Sequence, residues 1–430
     1  MNFKKYTNKI KEALESNKIL KNVLILTSGA TVGYLIILLT SPILTRLYSP
    51  EEFGVLALYI SVVGVLTPLI TLKYELAIPL APNERAAIAI VLLSFILAFI
   101  MSVLLFLFFF LLKDEVAILF GLDSTYEFLW LLILGLFGSG VYQILNLYAM
   151  RAKAYKIISK TRFYQNLGMA TIQIGTGFFK WGVLGLLLGH FFGRVSGSSN
   201  LYRILKLSLS SNIRQMSFQY IYTQLSRYKK FGIYSSIAGS INVAGTQIMP
   251  VLLTLLYSQE MVGQFSLGVR IVSVPMVLLG GSLSNVFLAE GAEMVRETPE
   301  KLSHYFKNIS KGLLLWGAVP LAILCLSSPY LFPVVFGENW DVAGKYVLIM
   351  FPAFLGQLII SPLSSSLNLV EKPSLQLLGD LLRVAIVISG IYASYRLGLT
   401  HYVVITIYSI SLTLTYVIYY YLYKHGLRKV

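Results

Sequence analysis

Leu44-Thr45-Arg46-Leu47-Tyr48-Ser49-Pro50-Glu51-Glu52-Phe53-Gly54 returns in the second half of the chain as Leu253-Thr254-Leu255-Leu256-Tyr257-Ser258-Gln259-Glu260-Met261-Val262-Gly263. The copies lie 209 positions apart, and from Leu44 to Leu58 eight of fifteen positions are identical, where composition alone gives about one. Each copy sits between one long apolar run and the next. A polar turn placed alike in two half-chains is the pattern of an internally duplicated membrane transporter.

Working outward, composition supports a chain solvated by lipid. The 430 residues are 56% hydrophobic and 13% charged, with mean hydropathy +0.73, whereas soluble domains carry about 25% charge. One cysteine, Cys325, and four dispersed histidines, His190, His304, His401 and His425, form neither a disulfide framework nor a metal-ligand cluster. No metal or cofactor is expected, and no GxxxxGK[ST] phosphate loop is present to bind a nucleotide.

At about 20 apolar residues per span, the sequence predicts an all-α integral membrane protein with twelve transmembrane helices. The first six fall near 22–45, 55–80, 87–112, 126–150, 161–179 and 182–203. The second six fall near 231–256, 262–289, 308–328, 343–369, 375–396 and 401–423. This gives lobes at 22–204 and 231–423, joined by a basic connector at 205–230 whose Ile213, Met216 and Tyr220 form a face suited to the membrane surface. Residues 1–21 read as an amphipathic helix with Phe3, Tyr6, Ile10 and Leu14 on one face, and 424–430 as a short tail. A cleaved signal peptide fits less well, because the following apolar run is long enough to span and lacks a small-residue cleavage site. An even number of spans per half makes the repeat parallel, with a pseudo-two-fold axis along the membrane normal and a cavity between the lobes.

The positive residues set the orientation. With cytoplasmic termini, 26 lysines and arginines fall on the inner side, and only Arg46, Lys113, Lys180, Lys345 and Arg396 on the outer. That imbalance accounts for the net charge of +16 without nucleic acid, for which no aromatic-interleaved basic motif exists.

The expected spans hold six charges: Lys73, Arg194, Arg270, Arg383, Glu75 and Asp380. Each costs about 2.5–3.5 kcal/mol near mid-bilayer on insertion scales. Arg270 lies about eight residues into its span, roughly 12 Å deep, and either lines a polar cavity or pairs with another helix. Arg194 is placed near the midplane, with His190 one turn away on the same face; the surrounding glycines allow close helix packing as the other reading. Lys73 either snorkels to the inner interface or faces the cavity, and two-residue spacing on a helix turns it away from Glu75. Asp380 and Arg383 share a face and can pair. The net cationic interior favours an anionic solute, with arginine suited to phosphate oxygens. Gln143, Asn146, Gln173, Asn242 and Thr246 add uncharged polar groups, and Pro42 and Pro250 occupy near-equivalent places as helix bends.

The stretch Ser41 to Gly54 resembles bacterial polysaccharide flippases, the translocases of O-antigen and capsule repeat units. So do Tyr74-Glu75-Leu76-Ala77-Ile78-Pro79-Leu80, Tyr234-Ser235-Ser236, Val262-Gly263-Gln264-Phe265 and Phe336-Gly337-Glu338-Asn339-Trp340. These belong to the multidrug/oligosaccharidyl-lipid/polysaccharide exporter superfamily, and the resemblance implies a MATE-like, V-shaped pair of lobes in the bacterial cytoplasmic membrane. It implies transport, not enzymatic turnover, of an undecaprenyl-pyrophosphate-linked oligosaccharide, with the polyprenyl tail remaining in membrane lipid. It also implies coupling to H⁺ or Na⁺, and polysaccharide polymerase and assembly proteins as partners. On physical grounds the substrate-binding candidates are Arg270, Arg194, His190, Lys73 and Arg383, while Glu75 and Asp380 are candidates for ion coupling or structural pairing.

Two other readings stay open. A cation-exporting multidrug antiporter needs lumenal carboxylates, and none stands between Asn22 and Arg46. A polysaccharide polymerase or ligase needs a large external loop with catalytic residues and no internal duplication. A peptidoglycan-precursor flippase or an exporter of teichuronic-type polymer is a further member reading.

Overall fold

The computed structural model describes residues 18–120, 125–212, 216–229, 231–370 and 372–427. The expected amphipathic helix falls almost wholly outside them, as does Ile213 of the connector face. The described residues are helical throughout, with no strand.

The first half contains α1 (Lys18–Leu47), α2 (Pro50–Ile70), α3 (Glu84–Leu111), α4 (Lys113–Phe120), α5 (Thr125–Arg151), α6 (Tyr155–Phe178) and α7 (Val183–Val195). The short helices α8 (Ser198–Asn212) and α9 (Phe218–Arg227) connect it to α10 (Ser236–Leu256) and α11 (Gln259–Glu297). Then come α12 (Pro299–Gly312), α13 (Ala318–Phe336), α14 (Asp341–Ile349), α15 (Phe351–Ile360), α16 (Pro373–Arg396) and α17 (His401–Leu427). In the first half α1 packs on α6, α6 on α7, and α3 on α5; in the second, α13 packs on α14 and α16 on α17. Across the halves, α2 lies against both α10 and α11.

Among the described residues, eight helices are long and apolar enough to cross a membrane, and nine if α14 and α15, bent by 57°, count as one broken span. The remaining expected spans are the short apolar helix Thr31–Leu47, α6 and α7. Arg162, Gln165, Asn166 and Gln173 make α6 too polar to count among the eight, and α7, at 13 residues, is too short.

The duplicated turn is explained by its chemistry. Ser49 caps α2, accepting from the Glu52 amide at 3.3 Å while Glu52 Oε2 accepts from the Ser49 amide at 2.7 Å, a reciprocal capping box that ends one helix and starts the next. Ser258 repeats the cap on α11, accepting from the Met261 amide at 3.2 Å. Two turns before each cap a proline lies within the helix, and a threonine hydroxyl donates back to its carbonyl: Thr45 to Pro42 at 3.2 Å and Thr254 to Pro250 at 2.9 Å.

The two copies meet each other. A Cβ on Gly54 would stand 2.0 Å from the Gln259 carbonyl oxygen, and one on Gly263 would stand 1.7 Å from that of Pro50. Since Pro50 and Gln259 are themselves repeat equivalents, the contact is reciprocal and only glycine permits it. Trp340 closes the same end, buried against the Phe53 ring with centroids 5.0 Å apart and donating to the Thr45 carbonyl at 3.0 Å.

Several expected boundaries move. Span two ends at Ile70, ten residues early, because Leu72 and Lys73 adopt positive φ (46° and 56°) and turn the chain into a short 3-10 segment, Tyr74–Ala77. Span six stops at Val195, where Gly197 at φ 77° redirects the chain into α8. The ninth span runs further toward the seam than expected, as α13 reaches Phe336.

Candidate substrate cavity

Between the halves lies a cavity of about 890 Å³. It begins beneath the glycine seam, at Phe53 and Phe265, and extends along α1, α2, α5, α6, α7, α10, α11, α15, α16 and α17. Its charged lining among the described residues consists of Arg162, Arg194, Arg270 and Arg383, with no aspartate or glutamate.

Arg270 reaches the cavity from the middle of α11 and is half-buried. Seven residues separate it from Gly263, as seven separate Ser61 from Gly54, so Arg270 lies at the depth of Ser61 and its neighbour Tyr59. His190 of α7 packs edge-on against the Tyr59 ring at 5.3 Å, at that same depth, within electrostatic reach of both Arg194 and Arg270. Arg194 follows one turn later, exposed in the last turn of α7; its carbonyl accepts from Gln165 Nε2 of α6 at 2.8 Å. Arg162, three residues before Gln165, sits deepest from the seam. Close approach of the two helices makes this wall possible: Gly189 and Gly193 of α7 press on Gln173 and Met169 of α6, where a Cβ would stand 2.3 and 2.6 Å from side-chain atoms. No carboxylate among the described residues pairs with Arg162, Arg194 or Arg270.

Arg383 is different. Its Nη2 lies 3.2 Å from Asp380 Oδ1 and donates toward the Asn242 carbonyl at 3.4 Å. Asp380 also accepts from Tyr419 Oη at 2.5 Å and from Asn242 Nδ2 at 3.0 Å. This buried carboxylate is saturated by three donors, so Arg383 enters the wall already neutralised.

The remaining wall is amide and aromatic. Ser61 of α2 donates to Gln247 Oε1 of α10 at 3.2 Å across the halves, and Gln357, Tyr408 and Tyr416 face the space from the second half. Hydroxyl, amide and aromatic groups are the means by which a site holds a polyhydroxylated solute.

A family model described as polysaccharide biosynthesis protein matches residues 43–345. The chain belongs to this family. No curated protein matches it, but solved structures do. An inward-facing multidrug resistance MATE family transporter of the MOP superfamily shares 14% identity and a TM-score of 0.64, covering 93% of this chain and 96% of its own. The lipid II flippase MurJ, in an inward closed conformation, shares 11% identity with a TM-score of 0.72, covering 93% and 87%. A MOP superfamily transporter from Pyrococcus furiosus, described as having a binding pocket of reversed polarity, shares 13% identity with a TM-score of 0.59, covering 96% of each. This member of the polysaccharide biosynthesis protein family is therefore a multi-pass membrane protein with the fold of MOP-superfamily transporters and flippases, and its neighbours are not enzymes.

Of the residues singled out in the family member's sequence, the structure brings Arg270, Arg194, His190 and Arg383 together on one cavity. Lys73 is not part of its lining. Its ammonium lies 4.0 Å from Glu75 Oε1, the reverse of the expectation that the two point apart, because left-handed Leu72 and Lys73 break the helix just before the 3-10 turn that carries Glu75. Glu75 is fully buried, and neither of its oxygens accepts a hydrogen bond among the described residues. Arg194 is at the end of its helix, not near the middle of a span. Gln173 and Thr246 line the cavity, Asn242 holds Asp380, and Gln143 and Asn146 fall outside the lining.

Sequence reasoning missed Arg162, which counted as a loop residue, along with Gln165, Asn166 and Gln357. A signal existed. Arg162, Gln165, Asn166, Met169 and Gln173 recur at helical steps of three and four, one continuous polar stripe on α6.

Proposed function

We propose that this protein moves a lipid-linked oligosaccharide, an undecaprenyl-pyrophosphate-linked repeat unit of a surface polysaccharide such as O-antigen or capsule, between leaflets of the bacterial cytoplasmic membrane. The observation that carries this reading is a cavity whose charged lining is arginine without acid. Guanidinium forks bind diphosphate oxygens bidentately, while the sugars meet the amide and aromatic wall. The prenyl tail stays in lipid, where its apolar surface needs no protein.

With cytoplasmic termini, the glycine seam lies at the outer face, and the described state has its outer end shut. Transport then requires the seam to part as the inner ends close, an alternating-access motion that the proline-interrupted α1 and α10 are placed to absorb. Cation export fits poorly, since a cationic solute would face three uncompensated positive charges. Coupling to H⁺ or Na⁺ is a further element of the reading, for which Glu75 is the buried carboxylate still without hydrogen bonds; Asp380 is fully engaged.

Complementation tests the function. In bacteria lacking their repeat-unit flippase but supplied with cognate sugar-assembly genes, the wild type restores surface polysaccharide, whereas normally inserted Arg194→Ala or Arg270→Ala does not. No restoration by wild type, with resistance to cationic dyes on expression, would overturn the reading in favour of drug export.

A further inference from the structure

The arginines are not clustered but stepped in depth. Arg270 lies level with Tyr59 and His190, Arg194 one helical turn further from the seam, and Arg162 beyond it, since Gln165 bonds the Arg194 carbonyl and Arg162 precedes Gln165 by three residues. At about 1.5 Å per residue, the ladder spans about 10 Å in depth. A diphosphate is only a few ångströms long and carries one charge on each phosphorus. Two neighbouring rungs are enough to match those two charges.

Which rungs it takes follows from its tether. Resting on the flippase reading, the diphosphate is joined to a prenyl chain that must remain in the hydrocarbon of the inner leaflet, so it stays near headgroup depth. Arg162 and Arg194 are the rungs farthest from the seam, on the side from which the tethered group enters, and together they match its two charges. Arg270 is left above them, at the level the glycan reaches. No carboxylate among the described residues compensates it, which leaves its guanidinium free to take an anionic group of the solute.

We infer that the transported glycan is acidic: a sugar carboxylate, as in a uronic acid, or another anionic substituent pairs with Arg270 while the diphosphate pairs with Arg162 and Arg194. Arg270 is thus a specificity residue for the glycan and not a further phosphate ligand. Its setting supports this assignment. Ser61, Gln247 and Ser266 line the same part of the cavity and supply hydroxyl and amide groups for the rest of an acidic sugar.

The test uses the full chain in lipid nanodiscs and two probes, a polyprenyl-diphosphate-linked neutral disaccharide and its counterpart with one uronic acid. The wild type should bind the acidic probe about tenfold more tightly, about 1.4 kcal/mol. Arg270→Gln should bring the ratio close to one and Arg270→Lys should keep part of it. Arg162→Gln and Arg194→Gln should weaken both probes and preserve the ratio. Equal binding of the two probes by the wild type overturns the acidic-glycan inference and leaves the flippase reading intact, as expected if one diphosphate passes along all three rungs. Persistence of the preference in Arg270→Gln overturns the role of Arg270. Absence of saturable binding by either probe overturns the flippase reading itself.

Discussion

The seam and the cavity are built from the same repeat and obey opposite rules. At the seam the halves are equivalent: Gly54 meets Gln259 and Gly263 meets Pro50, with matched serine caps and matched proline–threonine interruptions. A few residues inward the equivalence ends, for the counterpart of Arg270 is Ser61. Symmetry is retained where two half-chains must fit backbone against backbone. It is broken in the cavity lining, where Arg270 and its counterpart Ser61 both lie.

The largest effect should come from breaking the seam. Gly263→Val places its Cβ against backbone, which cannot rotate away, so the cost should exceed the about 1–3 kcal/mol of ordinary overpacking, with loss of the sealed state. Cysteine introduced at Ser266, in the cavity lining, should become reactive to an impermeant thiol reagent supplied on the seam side in Gly263→Val and stay protected otherwise. Protection in both would show that the seam is not the seal.

Next is the neutralised corner of the cavity. Asp380→Ala strands Arg383 and removes the acceptor of Tyr419 and Asn242, for an expected loss of about 3–5 kcal/mol. A fall in thermal midpoint in detergent would register it, and adding Arg383→Ala should recover part of the loss. An unchanged midpoint in Asp380→Ala would mean the pair is not structural.

The open side of the cavity should respond in function, not stability. Arg162→Ala with Arg194→Ala removes charge-assisted hydrogen bonds worth about 1.5–3 kcal/mol each, so repeat-unit transport should fall at least about a hundredfold, about 2.8 kcal/mol, at unchanged thermal midpoint. Lys73→Gln should leave transport near wild type, because Lys73 lies outside the lining. Equal defects in the two would erase the distinction between cavity and membrane-end charges.

The smallest effect sharpens the symmetry. Ser49→Ala and Ser258→Ala each remove one helix cap, for about 1 kcal/mol. Ser49→Ala should lower the thermal midpoint more, since it also dissolves the capping box with Glu52.

The all-helical membrane class, the duplication and the sense of the cavity charge were legible in composition, spacing and the counting of arginines, because each depends only on what residues are present and how often they recur. Helix ends were less legible. The break after Ile70 depends on left-handed residues, Leu72 and Lys73, whose types do not announce it. The polar stripe of α6 was legible but diluted, since its period competes with the basic residues just before it.

The sequence by itself determined that the chain lives in a membrane, that it is two related halves, and that it carries more buried positive charge than negative. Periodicity and transfer free energy suffice for that. Only the tertiary structure decided which charges matter together. Arg162 and Arg270 are 108 positions apart and share one cavity, while Lys73, equally charged and equally apolar in its neighbourhood, is turned away by a single bend. Pairing and exposure are properties of helices packed against other helices, and no local stretch of chain encodes them.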